Sequence, residues 1–266
     1  MKCKHFFLVL FLAAGALCSA QIKIGGRSFN TGKLLEAGKN VAAAVTLSDA
    51  QVAQLCAEAV AQMDKENTIA SDTSRYAERL KRLTENVRVD GLKLNFKVYL
   101  TRDINAFACG DGSVRVFSAL MDMMDDDELM AVIGHEIGHV VHTDSKDAMK
   151  NAYIQAAGRN AISAAGGTLA RLSDSQLGDI AQALASAQYS QKQETQADEY
   201  GVEFCVANGL DPYAMSRSLE KLVQLSQESG VQSSALQKMF SDHPDNDLRV
   251  KRTRELADEV SGKNDK

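Results

Sequence analysis

From Ser48 onward, apolar positions recur at helical spacing. Val52, Leu55, Cys56, Ala59, Val60 and Met63 share one face, behind a Ser48/Gln51 pair spaced as a capping box. Tyr76, Leu80, Leu83 and Val87 make a second stripe. The period then shortens to two: in KLNFKVYL, residues 93–100, Leu94, Phe96, Val98 and Leu100 alternate with other residues, which predicts a strand. NAFACGDGSVRVF, residues 105–117, reads as two short strands around Gly110, Asp111 and Gly112. A further helix is expected to begin near the acidic run Asp125 to Glu128, where carboxylates complement the positive end of the helix dipole, and to continue through AVIGHEIGHVVHTD, residues 131–144.

The Ala-, Gly- and Ser-rich stretch at 151–172 predicts loosely packed helices, a movable cover in form. Arg159, Asn160 and Arg171 argue against a membrane span there. Later helices are expected to hold ETQADEYGVEF, to start at Asp211 with Pro212 in the first helical position, and to start near Pro244. The sum is an α+β protein, mostly helical, with a small antiparallel-type sheet ahead of the histidine-bearing helix. One domain is expected over residues 46–262, preceded by a Gly-rich extension over 21–45.

The first residues change where this domain is expected to work. Lys2 and Lys4 precede an apolar block, Phe6 to Leu17, that is shorter than the roughly 20 residues needed to cross a bilayer. Small residues, Cys18 and Ala20, follow. Residues 1–20 therefore read as a cleaved secretory signal, and the chain as exported and periplasmic. A lipidated Cys18 or full secretion are the alternatives; Leu17 is larger than the residue that usually precedes a lipidated cysteine. Loss of the leader removes two lysines and no acid, moving the formal charge from -5 to -7. Nucleic acid phosphates would repel such a surface. Cys56, Cys109 and Cys205 remain, enough for one disulfide and one buried thiol, with the pairing open.

The chemistry sits in HEIGH. His135 and His139, four residues apart on a helix, lie about 40 degrees apart on one side, so both rings reach one ion. Glu136 flanks that ion without ligating it. This is the H-E-x-x-H arrangement, in which two neutral imidazoles bind zinc and the glutamate handles the proton of a water. Burying two imidazoles and a carboxylate uncompensated would cost several kcal/mol. A catalytic zinc site needs a third protein ligand. The longer pattern with a distal histidine is excluded, since positions 142 and 145 are His142 and Ser145. His142 reads as a helix-end residue. Glu194 and Asp198, one turn apart, are the remaining route: Glu194 as third ligand, Asp198 as acceptor of a ligating ring N–H.

HEIGH at 135–139, ETQAD at 194–198 and SDHPDNDLR at 241–249 together resemble the HtpX-like and CAAX-prenyl-protease-like family of zinc endopeptidases, in its compact exported form. The likeness spans roughly residues 46–260. It implies a zincin-like domain, one Zn2+ per subunit held by His135, His139 and Glu194, and Glu136 as catalytic base. It also implies that Asp198 supports a ligand. His243 would either stabilise the transition state or cap the ion at rest, and Arg249 would stand beside the oxyanion. Asn105, Ala106 and Phe107 match an edge segment beside the metal, and Val114, Arg115 and Val116 are expected to bind an extended substrate by strand addition. Thr143 and Asp144 depart from the family's usual Arg-His pair, and the hairpin lacks a common proline. Expected substrates are unfolded or misassembled envelope proteins, with peripheral outer-membrane association open. A rival expectation is a chaperone-like envelope scaffold whose zinc site is latent, closed by His243 as a fourth ligand.

Overall fold

The computed structural model describes residues 21–24, 27–30, 47–160, 172–228, 242–243 and 246–264. The leader, residues 161–171 of the small-residue tract and Pro244 lie outside them. Within the stretch read as an extension, β1 (Gln21–Ile24) and β2 (Arg27–Asn30) pair antiparallel. Helix α1 (Asp49–Glu66) starts at a Ser48 capping box, in which Gln51 N–H donates to the Ser48 hydroxyl oxygen and Ser48 N–H donates to the Gln51 side chain. This satisfies two of the donors a helix start leaves unpaired. Helix α2 (Arg75–Thr84) ends before Val87, yet Tyr76, Leu80, Leu83 and Val87 all join one apolar cluster.

Strands β3 (Asn95–Tyr99), β4 (Ala106–Ala108) and β5 (Ser113–Phe117) form a sheet in the order β3-β5-β4. β4 and β5 make the expected antiparallel hairpin, whereas β3 runs parallel to β5, so the sheet is mixed and not antiparallel throughout. The connection explains why: β3 reaches its partner only after the chain has passed through β4. Because β5 is central, both its edges are used. Val114 and Val116 are wholly buried, and Arg115 is only 2% exposed. The Arg115 guanidinium grips Asp64 of α1 at 2.8 and 3.0 Å. Burial pushes the Asp64 carboxyl up, but hydrogen bonds from Arg115, Lys97 and Tyr99 outweigh it and hold the group at about 2. The expectation that Val114, Arg115 and Val116 receive substrate is thus corrected: the first and last fill the core, and Arg115 ties the sheet to α1.

A short helix α3 (Ser118–Met123) leads to α4 (Asp126–Val141), whose start is a second capping box, Asp125 with Glu128. The acidic run is therefore a helix cap, with Glu128 also paired to Lys221 at 2.5 Å. Then come α5 (Asp144–Asn160), α6 (Asp174–Ala185), α7 (Gln191–Ala207), α8 (Ala214–Glu228) and α9 (Asn246–Asn264). Helix α8 begins three residues later than Asp211 predicts. Asp211 instead accepts from Tyr213 N–H and pairs with Arg217, so the Asp-Pro stretch makes a turn before the helix.

Three apolar clusters divide the core. One joins α1, α5 and α6 through Leu55, Cys56, Met149, Tyr153 and Ile180, so the predicted cover helix is packed on α1. The second sets the sheet and α2 against α4; the third sets α4 and α7 against α8 and α9. Helix α4 is buried on nearly every side and meets α7 more extensively than any other pair of described elements meets. Small residues permit that approach. A Cβ on Gly134 would lie 2.7 Å from the Phe204 ring, and one on Gly138 3.1 Å from the Ala197 Cα. No described helix is long and apolar enough to cross a membrane.

Candidate metal centre

The α4–α7 contact brings the motif residues together. His135 and His139 project from α4 one turn apart, with Nε2 atoms 3.2 Å from each other. Glu194, in the first turn of α7, stands 3.6 Å from each of those nitrogens, through Oε2 to His135 and Oε1 to His139. His243 closes the group, its Nδ1 lying 3.5 Å from His135 Nε2 and 3.0 Å from Glu194 Oε1. All four side chains are buried, and one ligand atom from each lies within 4.8 Å of every other.

These spacings decide whether an ion fits. Zinc–ligand bonds of about 2.0–2.1 Å at tetrahedral angles put ligand atoms about 3.3 Å apart. The observed 3.0 to 3.6 Å bracket that figure. The outer nitrogens are also committed. His135 Nδ1 is 2.9 Å from Asp198 Oδ1, and His139 Nδ1 is 3.0 Å from Asp144 Oδ2. Each ring N–H is thereby drawn outward, leaving both Nε2 lone pairs facing one point. Glu194 Oε2 accepts no hydrogen bond despite its burial, although Arg249 Nη1 stands 2.8 Å away as an ion-pair partner. Glu136, Asp144, Glu194 and Asp198 bring four buried carboxyl groups to this pocket against the single guanidinium of Arg249. A divalent cation would complement the charge of this arrangement.

The titration behaviour tells the same story. Burial lowers the pKa of His139, but Asp144 and Glu194 outweigh it and raise it to about 9. Burial also opposes ionisation of Glu194, yet His243, His139 and Arg249 hold its carboxyl far below the usual carboxylate range. Burial, aided by the positive charges of His139 and Arg249, lowers the pKa of His135 against the pull of Asp198. The carboxylates thus attract positive charge into a pocket that resists solvating it.

Other expected roles change. Arg249 forks onto Asp198 through Nε at 2.8 Å and Nη2 at 2.7 Å while touching Glu194 through Nη1. Arg249 therefore stands behind the two carboxylates, braced against them, and is corrected from an oxyanion partner to a residue that positions Glu194 and Asp198. Phe107 packs with Tyr99 and Phe117 in the core, so its ring is not a substrate contact. Asn105 is buried; its amide donates to the Ala185 carbonyl and accepts from Ala106 N–H. His142 caps α4, with Nδ1 donating to the Gly138 carbonyl.

Two residues escaped the sequence reading. Tyr189 stacks on His139 with centroids 3.7 Å apart and planes inclined by 13°, and nothing in its spacing marks it. Asp144 was visible only as a departure from a family pattern. Thr143 holds φ 66, a strained left-handed turn for a β-branched residue, and this folds Asp144 back beneath His139. Gln193 Nε2 donates to the other Asp144 oxygen at 2.9 Å. Asp144→Asn is expected to weaken metal binding by about 10- to 100-fold, measured by chelator competition. Unchanged affinity would relegate Asp144 to helix capping.

Two histidines with carboxylate-oriented rings, a glutamate from a facing helix and a second glutamate beside them define a metallohydrolase of the zincin kind. Comparison with known proteins gives the particular family. The model of Peptidase family M48 matches residues 70–257, and the chain belongs to that family as a metalloprotease. It is 40% identical to Metalloprotease LoiP of Escherichia coli strain K12 over 92% of this chain and 95% of that protein. With Metalloprotease YcaL of the same strain it shares 36% identity over 99% of this chain and all of the relative. The Beta-barrel assembly-enhancing protease of Yersinia pestis is 30% identical over 64% of this chain, but over only 36% of its own length.

Proposed function

We propose that the chain is a zinc-dependent endopeptidase of the bacterial cell envelope acting on unfolded or misassembled proteins. The observation that carries the zinc assignment is the convergence of His135 Nε2, His139 Nε2 and Glu194 at tetrahedral spacing. Bound there, zinc would supply Lewis acidity toward water and the scissile carbonyl. Glu136, beside His135 and only 6% exposed, takes the proton of the attacking water and delivers it to the leaving amine. His243 Nε2, 3.7 Å from Glu136 Oε1, is placed to donate to the oxyanion as charge develops. Asp198 and Asp144 hold the ligand rings in register, and Arg249 keeps Glu194 and Asp198 ionised.

An extended substrate would bind along β4, one of the two outer strands of the sheet; the other, β3, is already bridged by Ile69 opposite Tyr99. Phe117 N–H donates to the Asn105 carbonyl and Cys109 N–H to that of Ser113, so the peptide groups of Ala106 and Ala108 point away from β5; Ala106 N–H is given to the Asn105 side chain, which leaves the Ala108 N–H and the two carbonyls to meet substrate. Recognition through these groups reads backbone more than side chain, which suits unfolded chains. The secretory-type leader and a relative whose name refers to β-barrel assembly support an envelope role.

The purified chain with zinc is expected to cleave casein, to stop when a chelator strips the metal, and to recover on zinc addition. Intact casein at saturating zinc would remove the reading. A second reading has its own support: His243 Nδ1 stands among the other three ligand atoms, so as a fourth ligand it would close the centre. A latent scaffold would then act without hydrolysis.

A further inference from the structure

Cys56 lies in the middle of α1, and Cys109 follows the last residue of β4. Both are buried in the same apolar cluster, at 0% and 2% exposure. A Cβ placed on Gly110 would be 3.8 Å from Cys56 Sγ, so that sulfur packs directly against the backbone adjoining Cys109. The Cys56 and Cys109 side chains are themselves hydrogen-bonded to each other, so the two sulfurs are neighbours, as a disulfide requires. Cys205 sits apart, in the cluster formed with Ala131, Val202, Ala214, Met215 and Leu219. All three sulfurs are thiols in the structure.

We propose that Cys56 and Cys109 form a disulfide that fastens the edge strand beside the metal centre to α1, while Cys205 stays a thiol. The chemistry is exchange with a disulfide donor of the glutathione class. One cysteine thiolate attacks the donor, forming a mixed disulfide and releasing one donor thiol. The second thiolate attacks the protein-side sulfur, forming the Cys56–Cys109 bond and releasing the other donor thiol. Two cysteines are oxidised, one donor disulfide is reduced, and the two cysteine protons pass to the departing thiolates. In the folded protein the neighbouring Cys56 thiol, with burial, pushes the Cys109 thiol well above its ordinary value. Attack requires thiolate, so the bond closes while the chain is still folding.

The bond would place α1 and the end of β4 on one cross-link. It would restrain the strand whose outward peptide groups are proposed to meet substrate, without touching a metal ligand.

The test is refolding of the reduced full chain in a mixture of reduced and oxidised glutathione, followed by alkylation under denaturing conditions and tryptic mapping. The expected result is a peptide spanning residues 40–65 linked to one spanning 103–115, with Cys205 alkylated. Cys205→Ala should leave that link intact, and Cys56→Ala should leave Cys109 alkylated. The oxidised form should melt about 10 °C above the same protein after reduction, as expected of a cross-link closing a loop of this length. Alkylated Cys56 and Cys109 in the refolded wild type would overturn the proposal, as would a link that includes Cys205.

Discussion

Glu136→Gln is expected to reduce peptide hydrolysis by about two to four orders of magnitude while leaving bound metal at the wild-type level. Glutamine keeps the volume and one carbonyl acceptor but has no basic oxygen to take a proton from water. The side chain contributes no atom to the group formed by His135, His139, Glu194 and His243, so metal content should not change. Fluorogenic peptide turnover and metal analysis on one preparation measure both quantities. Retained turnover would remove Glu136 from the chemistry, and loss of metal would make it a ligand or a prop for one. The same variant separates protease from scaffold: a scaffold carrying Glu136→Gln would still correct the defect of cells lacking the protein.

The half of the centre carried by α4 was legible because ligand spacing and helix periodicity coincide. Four residues bring His135 and His139 to one side, and no other element is needed to state that. Glu194 was legible only conditionally. An acidic pair one turn apart on a helix usually faces water, and only the packing of α7 on α4 turns it inward. Arg249 shows the limit of such reasoning, since the sequence places it near the centre but not on a particular side of Glu194. Its three contacts with carboxylates settle that side. Asp144 depends on one strained dihedral, at Thr143, that no periodicity announces.

The sheet repeats the lesson. Alternation located β3 and the hairpin, yet strand order is a long-range property. Arg115 was expected to meet substrate, and nothing local corrects that because its partner, Asp64, lies 51 positions away on α1. The edge proposed for substrate is therefore β4 and not β5, while His135, His139 and Glu194 lie together in one buried group that could hold a metal ion.

The glycines of α4 carry the second large prediction. A Cβ on Gly138 would meet Tyr200 Cβ at 3.0 Å, Ala197 Cα at 3.1 Å and the Ala197 carbonyl oxygen at 3.3 Å. Two of these atoms are α7 backbone, which cannot rotate away as a side-chain tip can. Gly138→Ala must therefore push α7 outward near Ala197, one turn from Glu194, at a cost of about 1–3 kcal/mol in overpacking. A displacement of a few tenths of an ångström would stretch the 3.6 Å spacings from Glu194 to both rings. The expected outcome is a lower melting temperature together with metal affinity reduced about tenfold or more, read by calorimetry and chelator competition. Gly178→Ala in α6 supplies the contrast, because its nearest neighbour is the end of a flexible Glu66 side chain at 3.5 Å. Alanine there should hold or raise stability by about 0.5–1 kcal/mol through the helix propensity it restores, with metal binding unchanged. Equal behaviour of the two variants would mean that the α4–α7 spacing does not set the geometry of the centre.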